Sequence, residues 1–292
     1  MILLDKELIT TVKQQDWTQV IEPQGKLFDL KLRELWEFRD LVKLFVRRDF
    51  VAQYKQTILG PVWHLLSPLF TTIVFTIVFG RIAKISTDGL PQFIFYMAGN
   101  IIWFYFATVL TATSTTFISG AGIFGQVYFP RLVTPVSVLI SKLIAFSIQF
   151  VFFICLVIYF MIRGAPVHPN LWILLTPILV LMMGTLGLGG GVIVSALTTR
   201  YRDLQVVVGF GVSLLMYATP IVYPLSTVPE KYRIFLMANP VSAIVETFRY
   251  AFLGAGSFNL YNLLYSFLFC ITIFIVGVVM FNKVERTFMD TI

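Results

Sequence analysis

Ionisable side chains are scarce in the apolar part of this chain, which limits the chemistry that it can do. Between Asp49 and Asp203 there is one carboxylate, Asp88. Ion-coupled carriers place ionisable groups within their membrane spans as relays, and hydrolases use paired acids as general acid and base. The sequence therefore argues against a proton- or sodium-driven carrier and against a hydrolase built on two carboxylates.

Residue types that hold metals, disulfides or nucleotides are present without the required spacing. His64 and His168 are far apart, and Cys155 and Cys270 each lie in an apolar run, so no metal cluster or disulfide framework is predicted. There is no GxxxxGK(S/T) motif, so we expect no nucleotide to bind here by a P-loop. The glycines of 184–191 lie inside an apolar run, where small residues favour close helix packing or, alternatively, a flexible helix.

Composition predicts that the chain lies in a membrane. Its 292 residues are 58% hydrophobic and only 13% charged, against about 25% charged in soluble domains. Runs of about 20 apolar residues are long enough to cross a bilayer as helices. We predict an all-α polytopic membrane protein with six transmembrane helices. The predicted spans are 62–82, 93–113, 136–162, 171–197, 204–222 and 260–281.

An amphipathic helix is predicted before the first span, at residues 31–58, after a cytoplasmic tail at residues 1–30. At about 100° per residue most of its apolar residues share one arc, with Trp36 and Leu44 as exceptions, and most of its charged residues share the opposite arc. A helix of this kind, bearing Arg and Lys, is typical of a membrane surface; the alternative is a helix on a soluble core. The apolar arc contains Leu35, Phe38, Leu41, Val42, Phe45 and Val46.

The distribution of basic residues predicts the orientation of the chain. If the N-terminus is inside, the inner segments hold most of the 22 Lys and Arg residues, as the positive-inside rule requires. We therefore expect a multi-pass protein of the cytoplasmic membrane with both termini cytoplasmic, including a short tail at 282–292. The net charge of +7 follows from this topology and does not indicate nucleic-acid binding.

The connection at 223–259 is apolar but interrupted by prolines, among them Pro224 and Pro240. Glu246 and Arg249 are three residues apart, so on a helix they share a face and can neutralise each other. We predict two short re-entrant or interfacial helices near the outer surface, since irregular backbone at that depth must be buried in protein or line a cavity. The alternative is a plain external loop with one surface helix.

Several sequence stretches carry a family resemblance. They are RRDFVAQYKQTILGPVWHLLSPL at 47–69, VYFPRLVTPVS at 127–137, SALTTRYRDLQ through TPIVYPLSTVPEKYR at 195–233, and ANPVSAIVETFRY at 238–250. In order and spacing they resemble the membrane subunits of type-2 ABC exporters that move surface polysaccharides, such as O-antigen, capsule and teichoic acid. The resemblance covers about residues 33–285 and does not separate the glycans.

The resemblance implies a type-2 ABC transmembrane domain at 48–283 and a separate ATPase subunit. That subunit would use ATP and Mg, which fits the missing P-loop, and this chain would bind no cofactor. The helix at 31–58 would lie along the inner leaflet and touch the ATPase, a loop at 111–135 would be a coupling element, and 223–259 would form the outer gate. The residues implied in coupling are Phe129, Pro130, Arg131, Arg200, Arg202 and Asp203, and those of the gate are Pro224, Pro240, Glu246 and Arg249.

A polymer-sized path needs more than six helices, so we predict a two-fold homodimer with the path at its seam and two ATPase subunits below it. The substrate would be a glycan on a polyprenyl diphosphate or similar lipid. Arg47, Arg48 and Lys55 are available for its phosphates, or serve only as positive-inside anchors. The aromatic residues that could stack on sugars along the path are Trp103, Phe104, Tyr105, Phe106, Tyr217 and Tyr223.

Two other functions stay open. A type-2 ABC exporter of a small lipophilic molecule or drug would share the fold. A membrane enzyme of envelope synthesis would need convergent polar residues at one face of the membrane, and the only such cluster is TTRYRD at 198–203, with one acid and no histidine. The predicted partners are a second copy of the chain, two ATPase subunits, the lipid-linked polysaccharide and membrane lipids.

Overall fold

The computed structural model describes residues 32–55, 57–124, 129–198, 201 and 203–287. Within these ranges the chain is mostly helical and contains no strand. Five helical stretches are long and apolar enough to cross a membrane. These are Gly60–Ile82, Gln92–Ser114, Val133–Ile162, Leu171–Thr198 and Leu260–Lys283. The prediction of an all-α polytopic membrane protein is confirmed.

The α-helices are numbered in chain order. They are α1 (Leu32–Glu37), α2 (Arg39–Tyr54), α3 (Trp63–Phe75), α4 (Gln92–Ser114), α5 (Thr116–Phe124), α6 (Val133–Ile162), α7 (Thr176–Thr198), α8 (Leu204–Tyr217), α9 (Glu230–Ala238), α10 (Pro240–Leu253) and α11 (Leu260–Thr287). A 3-10 turn at Gly60–Val62 leads into α3, and a π-helical stretch, Thr76–Ile82, continues it. A second 3-10 turn, Leu171–Leu175, leads into α7.

The helix found at the predicted span 204–222 is shorter than that span. α8 has 14 residues, or about 21 Å at ~1.5 Å per residue, whereas a hydrocarbon core is about 30 Å thick. The chain turns after Tyr217, where Pro220 offers no N–H to extend the helix. That α8 crosses the membrane stays a prediction.

α4 lies at the centre of the bundle, between α7, α6, α3 and α10. Along its apolar window 78% of the residues are buried, against 17% for the stretch that contains α3. Because α4 is surrounded by its own chain, it forms the core, while α3 and α8 remain at the edge.

The glycines of α7 allow the helix to approach its neighbours closely. A Cβ on Gly189 would lie 2.8 Å from the Cα of Phe274 in α11, and one on Gly191 would lie 2.7 Å from the carbonyl oxygen of Leu110 in α4. Any side chain at these positions would collide with backbone. The prediction that this glycine run serves helix packing is confirmed.

The helix predicted at 31–58 is divided in two at Phe38, which has φ −88° and ψ 16°, and it ends at Tyr54. Val42 and Phe45 on the predicted apolar arc are buried, and the charged residues of the opposite arc are exposed. α2 packs on α6 through this buried side. Its position along a membrane surface stays a prediction.

Candidate functional site

The segment between α4 and α6, expected as a loop at 111–135, contains the helix α5. The backbone N–H of Phe117 donates to Ser195 Oγ of α7 at 3.1 Å, and Thr198 Oγ1 donates to the carbonyl oxygen of Ser114 at 3.2 Å. The ring of Phe117 stacks on Phe281 of α11 at 4.7 Å between centroids. These contacts join four helices at the predicted cytoplasmic end, where α3 begins and α4 and α7 finish.

Phe129, Pro130 and Arg131 are all buried. The ring of Phe129 packs edge-on against Phe45 of α2, with centroids 5.7 Å apart. Phe129 therefore lies against α2, and none of the three residues is exposed. Of the other predicted coupling residues, Asp203 is exposed just before α8, while Arg200 and Arg202 fall outside the described residues.

The cations predicted at a lipid entrance differ in their surroundings. Arg47 and Lys55 are exposed. Arg48 donates to Asp49 Oδ1 from Nη2 at 2.8 Å, and its guanidinium carbon lies 4.5 Å from the ring centroid of Phe45. The charge of Arg48 is therefore partly neutralised by Asp49.

A second ion pair lies on the exposed side of α2. Lys43 Nζ donates to Asp40 Oδ1 at 2.8 Å, and both groups are exposed. The hydrogen bond and charge of Lys43 lower the pKa of the Asp40 carboxyl from its ordinary value.

The predicted channel aromatics divide between core and surface. Trp103 and Phe106 are each 2% exposed and Tyr105 is 4% exposed, which places them inside a single chain because α4 is enclosed on most sides. These three candidates therefore belong to the helix core, which is the alternative to lining a path. Phe104 is partly exposed, Tyr217 is 53% exposed, and the Tyr223 hydroxyl donates to the carbonyl oxygen of Tyr217 at 3.0 Å.

A cavity of about 330 Å³ lies between α2, α3, α4 and α6. Its polar lining comes from all four helices and includes Gln53, Ser67, Thr108, Lys142 and Gln149. No sequence motif marks this site, because its residues are dispersed along the chain. One signal was available: Lys142 is the only charged residue of α6 and lies seven residues before Gln149, on the same helical face.

The connection at 223–259 contains two short helices, α9 and α10, as predicted. Asn239 caps α10 by accepting a hydrogen bond from the Val241 N–H at 3.1 Å, and Pro240 occupies the first turn. The helix stops at Gly254, which has φ 75°, a conformation that favours glycine. Pro224 is buried and Pro240 is partly exposed.

The predicted neutralisation of Glu246 by Arg249 is confirmed, and the pair is buried. Arg249 Nη1 lies 2.8 Å from Glu246 Oε1, and Nη2 donates to the carbonyl oxygens of Pro220 and Ile221 at 3.0 and 3.2 Å. The guanidinium carbon lies 3.8 Å from the ring centroid of Phe95 in α4. One arginine therefore joins α10, the turn after α8 and the central helix.

Comparison with known proteins agrees with this architecture. The ABC-2 type transporter family matches residues 40–253. The O-antigen export system permease protein RfbA of Klebsiella pneumoniae is 28% identical over 254 residues, covering 86% of this chain and 94% of the relative. RfbA of Myxococcus xanthus is 28% identical over 223 residues, covering 76% and 83%.

Another relative also aligns along nearly its whole length. The polysialic acid transport protein KpsM of Escherichia coli is 21% identical over 253 residues, covering 86% of this chain and 95% of the relative. The family match spans the helices from α2 to α10. This chain belongs to the ABC-2 type transporter family.

Proposed function

We propose that this chain is the membrane permease of an ATP-driven exporter that moves a lipid-linked surface polysaccharide across the cytoplasmic membrane. The cargo would be of the O-antigen, capsule or teichoic-acid type. The observation that carries the proposal is that relatives named for O-antigen export and polysialic acid transport align over most of their own length. The likeness therefore includes the helices that would surround the cargo.

ATP and Mg would be used by a separate ATPase subunit, present in two copies, so this chain acts as a permease and not as an enzyme. Three features support docking at the predicted cytoplasmic end. The charged side of α2 is exposed, Phe129 to Arg131 are buried, and Asp203 is exposed just before α8. Arg200 and Arg202 are proposed to complete that contact. Both termini lie on this side, as the Lys and Arg distribution predicts.

A second copy of the chain is proposed to pack against α3 and α8. No side chain of α8 is buried within the described part of the chain, and Cβ atoms at Gly209 and Gly211 would meet no atom within 4 Å. Small residues of this kind let helices approach closely in a membrane. The path then lies at a two-fold seam, where Phe104, Tyr217 and Tyr223 can stack on sugar rings.

The outer segment with α9 and α10 is proposed to gate this path. The buried Glu246–Arg249 pair, with Pro224 and Pro240 at the segment's bends, fixes its shape against α4. The pair ties α10 to the turn after α8, so the proposed gate keeps its shape as one unit.

Deletion of the gene tests the proposal. Polysaccharides of the deletion strain and of a complemented strain are fractionated into surface and cytoplasmic lipid-linked pools. We expect the surface glycan to be lost and lipid-linked glycan to accumulate inside, with both restored by complementation. An unchanged surface glycan would overturn the proposal and leave export of a small lipophilic molecule as the function to test.

A further inference from the structure

The cavity between α2, α3, α4 and α6 contains the side chain of a lysine. Lys142 lines it and is half-buried in a membrane-spanning helix. Lys142 makes no hydrogen bond or ion pair with any residue that the structure describes. A cation at this depth is costly unless an anion accompanies it, so the site needs a negatively charged ligand.

The acidic neighbour of Lys142 is already engaged. The Asp49 carboxylate is near enough to interact electrostatically with Lys142. However, Asp49 Oδ1 already accepts hydrogen bonds from Arg48 Nε and Nη2 at 2.9 and 2.8 Å. The ammonium is therefore free to bind an anion that comes from outside the chain.

The inner wall of the cavity presents a hydrogen-bond acceptor, which requires a donor from the ligand. Gln149 is 8% exposed, and its Nε2 donates to the carbonyl oxygen of His64 at 2.9 Å, which fixes the orientation of the amide. Its Oε1 has no hydrogen-bond partner among the described residues. An amide oxygen held in this way requires a donor, such as a hydroxyl group, because a buried acceptor left unpaired is destabilising.

The positions of Lys142 and Gln149 indicate how a ligand would be oriented in the cavity. Seven residues separate Lys142 from Gln149, about 10 Å along the axis of α6 at ~1.5 Å per residue, with Lys142 nearer the predicted cytoplasmic end. Gln149 Oε1 therefore places a hydrogen-bond acceptor in the deeper part of the cavity. Trp63, Phe104 and Phe146 supply apolar faces beside it, which suit the C–H surface of a sugar or polyol.

We propose that this cavity binds the head group of a membrane-anchored phosphate ester, with the phosphate on Lys142 and a hydroxyl of the adjoining group on Gln149 Oε1. The volume of about 330 Å³ lies within the range of small-ligand sites. Two lipids offer this chemistry: the lipid-linked glycan and a resident phospholipid with a polyol head group. The first source rests on the proposed function, and the second does not.

The test uses the full-length chain with its ATPase, purified into phosphatidylcholine nanodiscs. The probes are phosphatidylglycerol, inorganic phosphate, and lipid-linked glycan extracted from the strain in which export is blocked. Retained lipid is counted by native mass spectrometry. Lys142→Met and Gln149→Met remove the two contacts, Lys142→Arg restores the charge, and Arg163→Met removes an exposed cation from the far end of the same helix.

We expect Lys142→Met to weaken retention by about tenfold or more, with recovery in Lys142→Arg and no change in Arg163→Met. Lys142-dependent retention of the glycan lipid supports a substrate site. Lys142-dependent retention of phosphatidylglycerol alone supports a resident lipid, and that result would stand even if the deletion strain kept its surface glycan.

Equal lipid retention by wild type, Lys142→Met and Gln149→Met overturns the proposal, and so does binding of inorganic phosphate with no lipid. Each variant is first compared with wild type by size-exclusion chromatography. If Lys142→Met does not assemble, Lys142→Gln and Gln149→Met carry the comparison.

Discussion

The rings of Phe45 and Phe129 meet edge to face, with centroids 5.7 Å apart and planes at 84°. Phe45 lies on α2 and Phe129 lies just before α6, and both side chains are buried. Because the two rings are in direct contact, a displacement of α2 would be passed to the residues just before α6.

Replacing Phe45 and Phe129 by leucine, singly and together, should reveal this contact as a coupling energy. An edge-to-face aromatic pair contributes about 0.5 to 1.5 kcal/mol beyond the area it buries, so the double variant should lose less than the sum of the single losses. Unfolding in a sodium dodecyl sulfate titration measures the three values. Phe45→Leu combined with Phe210→Leu, whose ring is exposed on α8, should be additive; additivity of the first pair would refute the coupling.

Removing one member of the buried ion pair should be strongly destabilising. Arg249→Met leaves Glu246 buried without its partner, which costs about 3 to 5 kcal/mol, whereas Arg249→Met with Glu246→Leu should recover much of that loss. The same detergent titration gives the free energies of unfolding.

The matched control for that pair is the exposed pair Lys43–Asp40, which has the same spacing and the same 2.8 Å distance. Lys43→Met should leave the unfolding midpoint unchanged because water screens exposed charges. Equal effects at the two sites would contradict the role given to burial.

Gly189→Ala should destabilise the bundle by about 1 to 3 kcal/mol through overpacking, because its new methyl group would meet the backbone of α11. Gly190→Ala is the control, since its Cβ would lie 3.4 Å from the Leu110 side chain, an ordinary contact. The yield of monodisperse protein and its unfolding midpoint distinguish the two. A tolerant Gly189→Ala would show that α7 and α11 are not held at this distance.

Tyr217→Ala should reduce the surface glycan while the amount of protein in the membrane stays at the wild-type level, since Tyr217 is exposed. Trp103→Ala should instead lower the amount of protein, because loss of a buried Trp costs about 3 to 5 kcal/mol. Immunoblots of membranes beside glycan gels separate the two effects. Normal export by Tyr217→Ala would remove it from the path.

A cysteine at Phe210 on α8 should cross-link to its copy in a second chain if α8 lies at the seam. Cys155 is exposed and Cys270 is buried, so both are first replaced by alanine. Val151→Cys on α6 is the control, because its exposure of 63% resembles the 66% of Phe210 while we expect it to face lipid. Cross-linking at Val151 but not at Phe210 would move the interface from α8 to α6.

The sequence predicted those features that follow from a period or a fixed spacing. The arc of α2 with Val42 and Phe45 was predictable because a helix with one polar side shows a 3.6-residue period. The ion pair was predictable because residues three apart share a helical face. Both depend on neighbours along the chain.

Features set by distant contacts were not predictable. In an all-apolar helix a residue that faces lipid, core or path has the same chemical type, so Trp103 and Tyr217 could not be told apart although one is buried and the other exposed. The cavity depends on Lys142 meeting α2, α3 and α4, and only the fold brings these elements together. The predicted span ran past the end of α8 because Ile221 and Val222 continue the apolar run beyond Pro220.

The burial of α4 limits which helices can move. Tilting or rotating a helix enclosed by α3, α6, α7 and α10 would open voids in a close-packed interior, whereas α3 and α8 have few such contacts to lose. In the proposed transport cycle we therefore expect conformational change at α3 and α8, with α4 and α7 as the stationary frame. Each chain would supply both the fixed and the moving wall of the path that it shares with its copy.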